Sequence, residues 1–353
     1  MDLQKIAWYS KIIFRNFLKF YLECKAKLAG KVFTCRVLNG TANYNLAINS
    51  DMTISCNCQD FDGAGRLGDF SKNSLEEILA DAKAQKFRIT LAEGRLPILA
   101  CARCLELDMV TQNQAELNMN GWHVPDKHIL VENTILCGCS CLSCARPEVM
   151  AQRKKMSLTL DDISRIASEI KKHDIKTVSY YNLGDPFMAP NVFHELSIIR
   201  KSNPHINILT STNGLYLNTE EKFEAALLLD RIGVSIDGIN TPMVRKYQRN
   251  GNFERSFGNL CNLVKYRNSK NLKKPKIVWN YILFNWNDRP EYIKSAIKLA
   301  TECGIDELLL CHTKTPFWGT SWRWYTSSFY RNLNKNLDSQ FLTIPLTACE
   351  QGN

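Results

Sequence analysis

The chain has 353 residues, of which 45% are hydrophobic and 23% are charged, as is usual for a globular protein of about two domains. No apolar run is long enough for a transmembrane helix, and Arg15 and Lys19 interrupt the apolar N-terminus, so no signal peptide is expected. The net charge is +10, and residues 1–34 contribute seven Lys/Arg against two Asp/Glu. Because this excess is local, we expect no nucleic-acid partner. Since neither a signal peptide nor a transmembrane helix is expected, we predict a cytoplasmic protein.

Residues 4–28 are predicted to form a helix that stops near Gly30. Spacings of three and four residues place its apolar side chains on one face: Ile6, Tyr9, Ile13, Phe17, Phe20, Cys24 and Leu28. We expect this face to pack on the chain's own domain. The alternative is a basic amphipathic helix that lies peripherally on the inner face of a membrane. Its basic residues are Lys11, Arg15, Lys19, Lys25 and Lys27.

Fourteen cysteines are many for a chain without a secretion signal. Nine of them fall within residues 35–144: Cys35, Cys56, Cys58, Cys101, Cys104, Cys137, Cys139, Cys141 and Cys144. Such clustering favours metal ligation over a disulfide framework. The scattered remainder are predicted to be buried thiols. They are Cys24, Cys261, Cys303, Cys311 and Cys349.

Residues 35–110 predict a small cysteine-rich α+β domain. Two short strands, 43–48 and 52–55, flank an Asn49-Ser50-Asp51 turn, and a helix covers 74–86. A hairpin and a helix that bring cysteine pairs together form a closed four-thiolate site, for which zinc is the alternative to an iron–sulfur cluster. Two of Cys35, Cys56 and Cys58 complete a set that includes Cys101 and Cys104.

Two further segments precede the second domain. Residues 63–68 match G-x-G-x-x-G, but no βαβ unit surrounds them and residue 88 is arginine rather than an acid, so we predict a polar turn instead of a dinucleotide site. Residues 111–127 are polar and are predicted to form a linker.

From residue 128 onward, strand and helix patterns alternate. The predicted strands are 128–136, 176–182, 206–211, 231–236, 276–283 and 307–311, and the predicted helices are 160–173, 191–201, 219–229, 241–268 with a break, and 290–303. This alternation predicts an α/β fold in which residues 128–311 form a partial (β/α)6 parallel barrel. The aromatic-rich residues 312–353 are expected to close its open edge, with a platform for a sugar or lipid as the alternative.

A cysteine loop directly follows the first of these strands. It contains Cys-x3-Cys-x2-Cys at Cys137, Cys141 and Cys144, with Cys139 as an extra thiol. Three thiolates on one loop suit three irons of a [4Fe–4S] cluster and leave the fourth iron open for a small molecule. A structural zinc site needs four ligands, commonly in separated pairs, and fits this loop less well.

Polar motifs fall at the carboxyl ends of the following strands, where ligands of parallel sheets bind. They are Asn182-Leu183-Gly184-Asp185-Pro186, Ser211-Thr212-Asn213-Gly214 and Ser235-Ile236-Asp237-Gly238, and the strand after them passes through Asn280. A core would place apolar residues at such positions, so this repetition favours an enzyme over a structural metal protein.

The cysteine loop and the strand-end motifs resemble those of radical S-adenosylmethionine (radical SAM) enzymes. The resemblance implies that the open iron binds the amino and carboxylate groups of SAM. Gly184-Asp185-Pro186 resembles the Gly-Gly-Glu-Pro motif that holds the SAM amino group, with Leu183 and Asp185 in place of Gly and Glu. By the same resemblance, Ser211 and Asn213 contact the SAM carboxylate or ribose, and Ser235 and Asp237 contact the ribose. Ser143 stands where many members have an aromatic residue.

The cysteine-rich block looks like a SPASM or shorter twitch domain, which carries auxiliary iron–sulfur clusters. The matching features are Cys35-x15-Asp51-x4-Cys56, the stretch Leu67-Gly68-Asp69 and the late Cys101-x2-Cys104. A single Cys-x2-Cys implies one auxiliary cluster, expected to be [4Fe–4S]. This block precedes the barrel here, whereas it usually follows it.

The resemblance implies reductive cleavage of SAM to a 5′-deoxyadenosyl radical that takes hydrogen from a substrate. An external electron donor of the flavodoxin or ferredoxin kind is expected. The 34 residues before the cysteine-rich block are short for a leader-peptide domain, which favours a sugar-like or small alcohol, oxidised through the auxiliary cluster. The alternatives are a peptide-modifying enzyme and a non-catalytic metal-binding or electron-transfer protein. No catalytic acid or base can be named.

Overall fold

The computed structural model describes residues 3–44, 46–58, 60, 62–333 and 340–346, with side chains from residue 12 onward. Its helices are α1 (Leu3–Leu28), α2 (Arg36–Asn39), α3 (Leu75–Ala80), α4 (Ala82–Ala92), α5 (Gln112–Asn120), α6 (Arg146–Met150), α7 (Leu160–Lys172), α8 (Val192–Ser202), α9 (Glu220–Leu227), α10 (Thr241–Arg245), α11 (Phe253–Ser269), α12 (Pro290–Cys303), α13 (Arg323–Thr326) and α14 (Ser328–Leu333). Short 3-10 helices cover Leu99–Arg103, Pro186–Met188 and Phe317–Gly319.

The strands are β1 (Val32–Cys35), β2 (Ala47–Ile48), β3 (Thr53–Ser55), β4 (Arg66–Asp69), β5 (Leu107–Val110), β6 (His128–Val131), β7 (Ser140–Cys141), β8 (Thr177–Ser179), β9 (Asn207–Thr212), β10 (Arg231–Ser235), β11 (Gln248–Arg249), β12 (Lys276–Leu283), β13 (Glu307–His312) and β14 (Phe341–Pro345). The chain divides into two compact units. The first unit is Met1–Leu136, Ala145–Gly184 and Ser197–Asn207, and the second unit is Cys137–Cys144, Asp185–Leu196 and Ile208–Asn353.

The first unit contains strands in the order β4-β3-β2-β6-β8. The β2–β3 and β3–β4 pairs are antiparallel, whereas β2 pairs with β6 and β6 with β8 in parallel. Residues 63–65 therefore lie in the turn between the antiparallel strands β3 and β4, and residues 66–68 belong to β4, so the G-x-G-x-x-G match is not part of a βαβ unit. Helix α7 begins with a capping box between Thr159 and Asp162 and buries Ile163, Ile166 and Ile170, as its apolar spacing predicts.

The second unit contains strands in the order β9-β10-β12-β13-β14, with the first four parallel and β14 antiparallel to β13. Its core includes the fully buried Trp279 and Tyr281 of β12 and Phe284, the residue that follows β12. Strands alternate with helices, so the predicted α/β class is confirmed. The predicted bounds of β12 and α12 match the structure, and the expected break in 241–268 lies between α10 and α11.

Three details differ from expectation. The predicted helix 74–86 divides at Asp81, whose carboxylate caps α4 by accepting from the Lys83 N–H. The predicted linker contains α5, which Thr111 caps. Cys261 and Cys303 form a disulfide that joins α11 to α12, so the prediction of buried thiols was wrong for this pair. Cys349 lies outside the described residues.

The C-terminal aromatic segment is partly core and partly surface. Trp324 and Tyr330 are buried, and the Tyr330 hydroxyl donates to the Asp288 carbonyl at 2.6 Å. Phe317 and Trp322 are exposed. Strand β14 covers the outer edge of β13, with Cys311 opposite Phe341, as the expected closure of an open edge requires.

Helix α1 forms where it is predicted, but its orientation is opposite to our expectation. Ile13, Phe17, Phe20 and Leu28 are 67–90% exposed, so the predicted apolar face does not pack on the first unit. The side chains of Ile6 and Tyr9 lie outside the described part of the chain. Among the described helices, none combines the length and apolar character needed to span a bilayer.

Candidate functional site

The three-cysteine loop in the second unit is held by backbone contacts. Its short strand β7 pairs with β11, so that Cys141 lies opposite Gln248. The Leu142 N–H donates to the Tyr247 carbonyl at 3.1 Å, and the Cys144 N–H donates to the Cys141 carbonyl at 3.2 Å. A Cβ at Gly138 would lie 2.5 Å from the Tyr216 ring, so any larger residue there would require that ring to move. These contacts fold eight residues into a compact thiol-bearing turn.

The thiols of this loop are neighbours. A hydrogen bond to Cys137, burial and the charge of Cys141 raise the pKa of Cys139. Burial and then the charges of Cys141, Asp237 and Cys144 raise the pKa of Tyr247, which places that hydroxyl near both cysteines. In the described part of the chain, no three His, Cys, Asp or Glu side chains surround a single-ion position. Thiolates of a [4Fe–4S] cluster bind different irons, so this donor set suits a cluster.

Asp185 links the loop's surroundings to the end of β9. Its carboxylate accepts from the Thr212 hydroxyl at 2.9 Å, the Asn213 N–H at 2.9 Å and the Phe187 N–H at 3.1 Å. It is 2% exposed, and burial raises its pKa. The Asn213 amide in turn donates to the Cys137 sulfur at 3.5 Å. The predicted residues Asp185, Asn213 and Cys137 are therefore brought together, but the carboxylate is already engaged by the protein.

Polar side chains also meet at the ends of β9, β10 and β12. The hydroxyls of Ser211 and Ser235 are 3.3 Å apart, and the Asn280 amide donates to Ser235 at 3.5 Å. A Cβ at Gly233 would lie 2.3 Å from that amide nitrogen, so glycine makes room for Asn280. Ser211 and Ser235, predicted as SAM contacts, thus form one polar surface to which Asn280 belongs.

Gln248 is a site residue that the sequence analysis missed. Its side-chain oxygen accepts from the Asp237 N–H at 3.0 Å, and its amide donates to the Ser235 carbonyl at 2.9 Å. It is buried and stands opposite Cys141 in the β7–β11 pair. Strand β11 has two residues, which is too short for a periodic pattern to show, so no signal in the sequence identifies it.

Asp237 is a buried carboxyl at the end of β10. It is 1% exposed and accepts from the Ile282 N–H at 2.8 Å. Burial raises its pKa to about 7. Burial, followed by the charge of Asp237, also raises the pKa of Cys311 to about 12. Buried carboxyl groups with a raised pKa are common at functional sites. Asp237 is therefore a candidate for contact with a ligand or for proton exchange.

Asp237→Asn is expected to flatten the pH dependence of stability. Because the folded pKa is raised, the folded protein binds a proton that the unfolded chain has lost, so stability falls as pH rises from about 4 to about 7. Three pKa units correspond to a loss of about 4 kcal/mol. The variant lacks this loss, and should gain stability relative to the parent between pH 5.5 and pH 8. Urea unfolding without SAM measures this gain; an equal difference at both pH values would contradict it.

A second thiol group lies in the first unit. Burial and then the charges of Cys104 and Cys101 raise the pKa of Cys35. Burial, followed by the charges of Cys35, Cys101 and Cys104, raises the pKa of Cys56. The Cys35 sulfur also has hydrogen bonds with the backbone of Leu38 and Val37, a feature of sulfur ligands in iron–sulfur proteins. These charge effects place the four thiols of Cys35, Cys56, Cys101 and Cys104 in one neighbourhood of the first unit.

Cys58, the fifth cysteine of this block, contributes to the pKa of Tyr44 in the same unit. Burial, then Tyr181 and then Cys58 raise the pKa of Tyr44. The hydroxyl of Tyr44 donates to that of Tyr181 at 3.0 Å, and its ring packs edge-on against His128. Cys58 therefore lies near a tyrosine pair of the first unit.

Arg88 is a second residue that the sequence analysis did not place in a site. Its guanidinium donates to the Leu38 carbonyl at 2.7 and 2.9 Å and to the Leu79 carbonyl at 2.8 Å, and it stacks on Trp122. Burial lowers its pKa to about 10, while the charge of Cys35 opposes this. It is a buried cation that fixes the backbone next to Cys35. No sequence pattern predicts that a single arginine on a helix will be buried beside the backbone of a cysteine-bearing segment.

Comparison with known families agrees with the two cysteine groups. The radical SAM superfamily matches residues 134–273, and the SPASM iron–sulfur cluster-binding domain matches residues 28–105. Among curated proteins, no significant match to the chain is found.

Several solved structures are similar to parts of the chain. BtrN in complex with AdoMet and 2-DOIA aligns at 19% identity over 31% of this chain and 45% of that chain, with a TM-score of 0.27. The enzyme anSMEcpe with bound AdoMet and a peptide aligns at 13% identity over 58% of each chain, with a TM-score of 0.42. HemN from Escherichia coli, a radical SAM coproporphyrinogen III oxidase, aligns at 13% identity over 61% and 48%, with a TM-score of 0.35.

The chain spans about half the length of these solved proteins. The two family matches, which cover the three-cysteine loop and the four-thiol group, indicate iron–sulfur clusters rather than zinc at both sites. The chain therefore carries a radical SAM domain and, before it, a SPASM domain, which implies a [4Fe–4S] cluster with SAM and an auxiliary iron–sulfur cluster.

Proposed function

We propose that the chain cleaves SAM reductively at a [4Fe–4S] cluster held by Cys137, Cys141 and Cys144. Bound there, a reduced cluster would supply the one electron that cleavage of SAM to methionine and a 5′-deoxyadenosyl radical requires, and that radical would take a hydrogen atom from an organic substrate. The observation that carries this proposal is the chain of contacts from Cys137 through Asn213 to Asp185 in the second unit. These hydrogen bonds connect the cysteine loop to the polar residues that follow β9.

The residues around this loop are assigned distinct roles. We infer that Gly184, Asp185 and Pro186 shape the segment that holds the SAM amino group. Because the Asp185 carboxylate already binds Thr212, Asn213 and Phe187, it acts as a positioning residue, and backbone groups make the contact with SAM.

The polar surface beside this segment fits the rest of SAM. Ser211 and Asn213 are proposed to contact the carboxylate or ribose, and Ser235 and Asp237 the ribose, with Asn280 and Gln248 fixing the β10 end. Hydroxyl and carboxyl groups at this edge are the donors and acceptors that such ligand groups require.

For the auxiliary site we propose a [4Fe–4S] cluster ligated by Cys35, Cys56, Cys101 and Cys104. Their mutual effects on pKa support this choice among the five candidates. Cys58 is then not a ligand, because four thiolates complete the cube. Within the proposed boundaries, residues 35–110 are the auxiliary-cluster domain, 128–311 the radical SAM barrel and 312–353 the C-terminal extension, with 111–127 joining the two domains.

A sugar-like or small alcohol is the substrate class that we propose. The support is the four-thiol group found among the described residues, which would hold one cluster. Hydrogen-atom abstraction would remove the first electron of a two-electron oxidation of an alcohol, and this cluster would accept the second electron while the hydroxyl proton passes to solvent. A flavodoxin- or ferredoxin-like protein would supply the electron for SAM cleavage. A peptide substrate is the second candidate, since anSMEcpe, a structure with partial similarity, was solved with a peptide bound.

The test is anaerobic reconstitution with iron and sulfide, followed by chemical reduction in the presence of SAM. The parent is expected to bind about eight irons and to form 5′-deoxyadenosine. The variant with Cys137→Ala, Cys141→Ala and Cys144→Ala should bind about four irons and form none. Cys24→Ala, which removes a thiol from α1, should match the parent. Zinc in place of iron, or no cleavage by the fully loaded parent under strong reduction, would contradict the proposal.

A further inference from the structure

Helix α1 contacts the first unit through an unusual, partly charged stripe. Its inward residues are Arg15, Leu18, Lys19, Leu22, Glu23 and Ala26, which are buried or half-buried. The Leu96 N–H donates to the Glu23 carboxylate at 2.8 Å, and Lys19 lies 3.9 Å from the same carboxylate. Burial and then the charge of Arg103 lower the pKa of Arg15. The helix packs against the turn that carries the auxiliary cysteines, Leu99–Arg103.

The opposite side of α1 is an exposed apolar surface, which we call the outer face. It consists of Ile13, Phe14, Phe17, Phe20, Tyr21 and Leu28, each 50–90% exposed. At 100° per residue these positions span an arc of about 120°, so they form one continuous stripe. Single exposed apolar residues are ordinary, but a contiguous stripe of aromatic and aliphatic side chains marks an interaction surface.

Charge identifies the partner of the outer face. Lys25 and Lys27 lie on its two borders on the helical wheel and are exposed, and the outer face itself contains no Asp or Glu. The cleft beside α1 is also mainly basic, since Lys19, Lys83, Lys86 and Arg95 line it with Glu23 as the acidic residue among them. A second copy of the chain would bring these like charges together. An anionic lipid surface instead attracts the lysines and accepts the apolar stripe.

We infer that α1 binds the surface of an anionic lipid bilayer, lying in the interface with its outer face in the acyl region and its lysines at the headgroups. The inward stripe keeps the helix attached to the rest of the first unit, which is thereby held at the membrane surface. This inference does not depend on the reaction proposed above, since it rests on α1 and its neighbours alone.

The test uses the full-length, cluster-loaded protein and sedimentation with vesicles. Binding is expected with vesicles of equal phosphatidylglycerol and phosphatidylcholine, weaker binding with phosphatidylcholine alone, and release as salt rises. Phe17→Asp with Phe20→Asp should weaken binding to the anionic vesicles at least about tenfold. Both rings are 67% exposed, so iron content and circular dichroism should stay unchanged.

A matched control carries the same change in charge elsewhere on the surface. Leu272→Asp with Phe317→Asp replaces two exposed apolar residues of the second unit and should bind vesicles within about twofold of the parent. Equal losses in the two double variants would overturn the assignment to α1. Absence of vesicle binding by the parent, or self-association that Phe17→Asp with Phe20→Asp abolishes, would overturn the lipid partner.

Discussion

Gly184→Ala is expected to destabilise the protein by about 3 kcal/mol or more and to abolish SAM cleavage. A Cβ at Gly184 would lie 1.9 Å from the Thr134 carbonyl oxygen and 2.7 and 2.8 Å from the carbonyl carbons of Thr134 and Ile135. All three are backbone atoms, so no side chain can rotate away to make room.

Thr134 is also unable to move aside at low cost. Its hydroxyl accepts from Ser157 at 2.8 Å and donates to the Met156 carbonyl at 3.1 Å, and the Ile135 N–H donates to the same carbonyl at 2.8 Å. Because Thr134 stands three residues before Cys137 in the chain, a displaced backbone here should disturb the entry to the cysteine loop. The expected loss of activity follows from this displacement.

Gly258→Ala is the matched control for this substitution. A Cβ at Gly258, inside α11, meets nothing within 4 Å, so alanine should raise stability by up to about 1 kcal/mol through helix propensity. Urea unfolding and the yield of 5′-deoxyadenosine are measured for both variants. If Gly184→Ala unfolded at the parent's midpoint and cleaved SAM at the parent's rate, the close approach to Thr134 would have no energetic weight.

The alternating elements of the radical SAM domain were predictable because their signals are local. The apolar period of α7 and the capping residues Thr159 and Thr219 define helices within a few positions in the chain. The strand-end motifs were also visible, since polar residues such as Asn213 and Asp237 interrupt otherwise apolar runs. Their partner Gln248 was not, because it reaches the site through the pairing of β11 with β7, which is distant along the chain.

The orientation of α1 shows a different limit of sequence reasoning. Helical periodicity identifies an apolar face but does not say which face meets the rest of the chain. Here the contact is decided by Glu23 with Leu96 and by the fully buried Ala26, and neither partner can be inferred from spacing. The Cys261–Cys303 disulfide could not be predicted for the same reason, since its two thiols meet only after helices α11 and α12 have packed together.

Cys56→Ala is expected to remove the auxiliary cluster, whereas Cys58→Ala should leave it intact. Spacing alone does not separate these two cysteines, which stand two residues apart after β3. In the fold, burial and then the charges of Cys35, Cys101 and Cys104 raise the pKa of the Cys56 thiol, while Cys58 contributes to the raised pKa of Tyr44. A cluster that loses one of four thiolates in a buried site should not assemble, so iron should fall from about eight to about four per chain.

Iron and sulfide content and the yield of 5′-deoxyadenosine separate the two sites in one experiment. Cys137, Cys141 and Cys144 belong to the second unit, so Cys56→Ala should still form 5′-deoxyadenosine despite its lower iron content. Loss of four irons in Cys58→Ala instead of Cys56→Ala would replace Cys56 by Cys58 in the ligand set. Because the two substitutions make the same chemical change at neighbouring positions, a difference between them reports ligation rather than general damage to the domain.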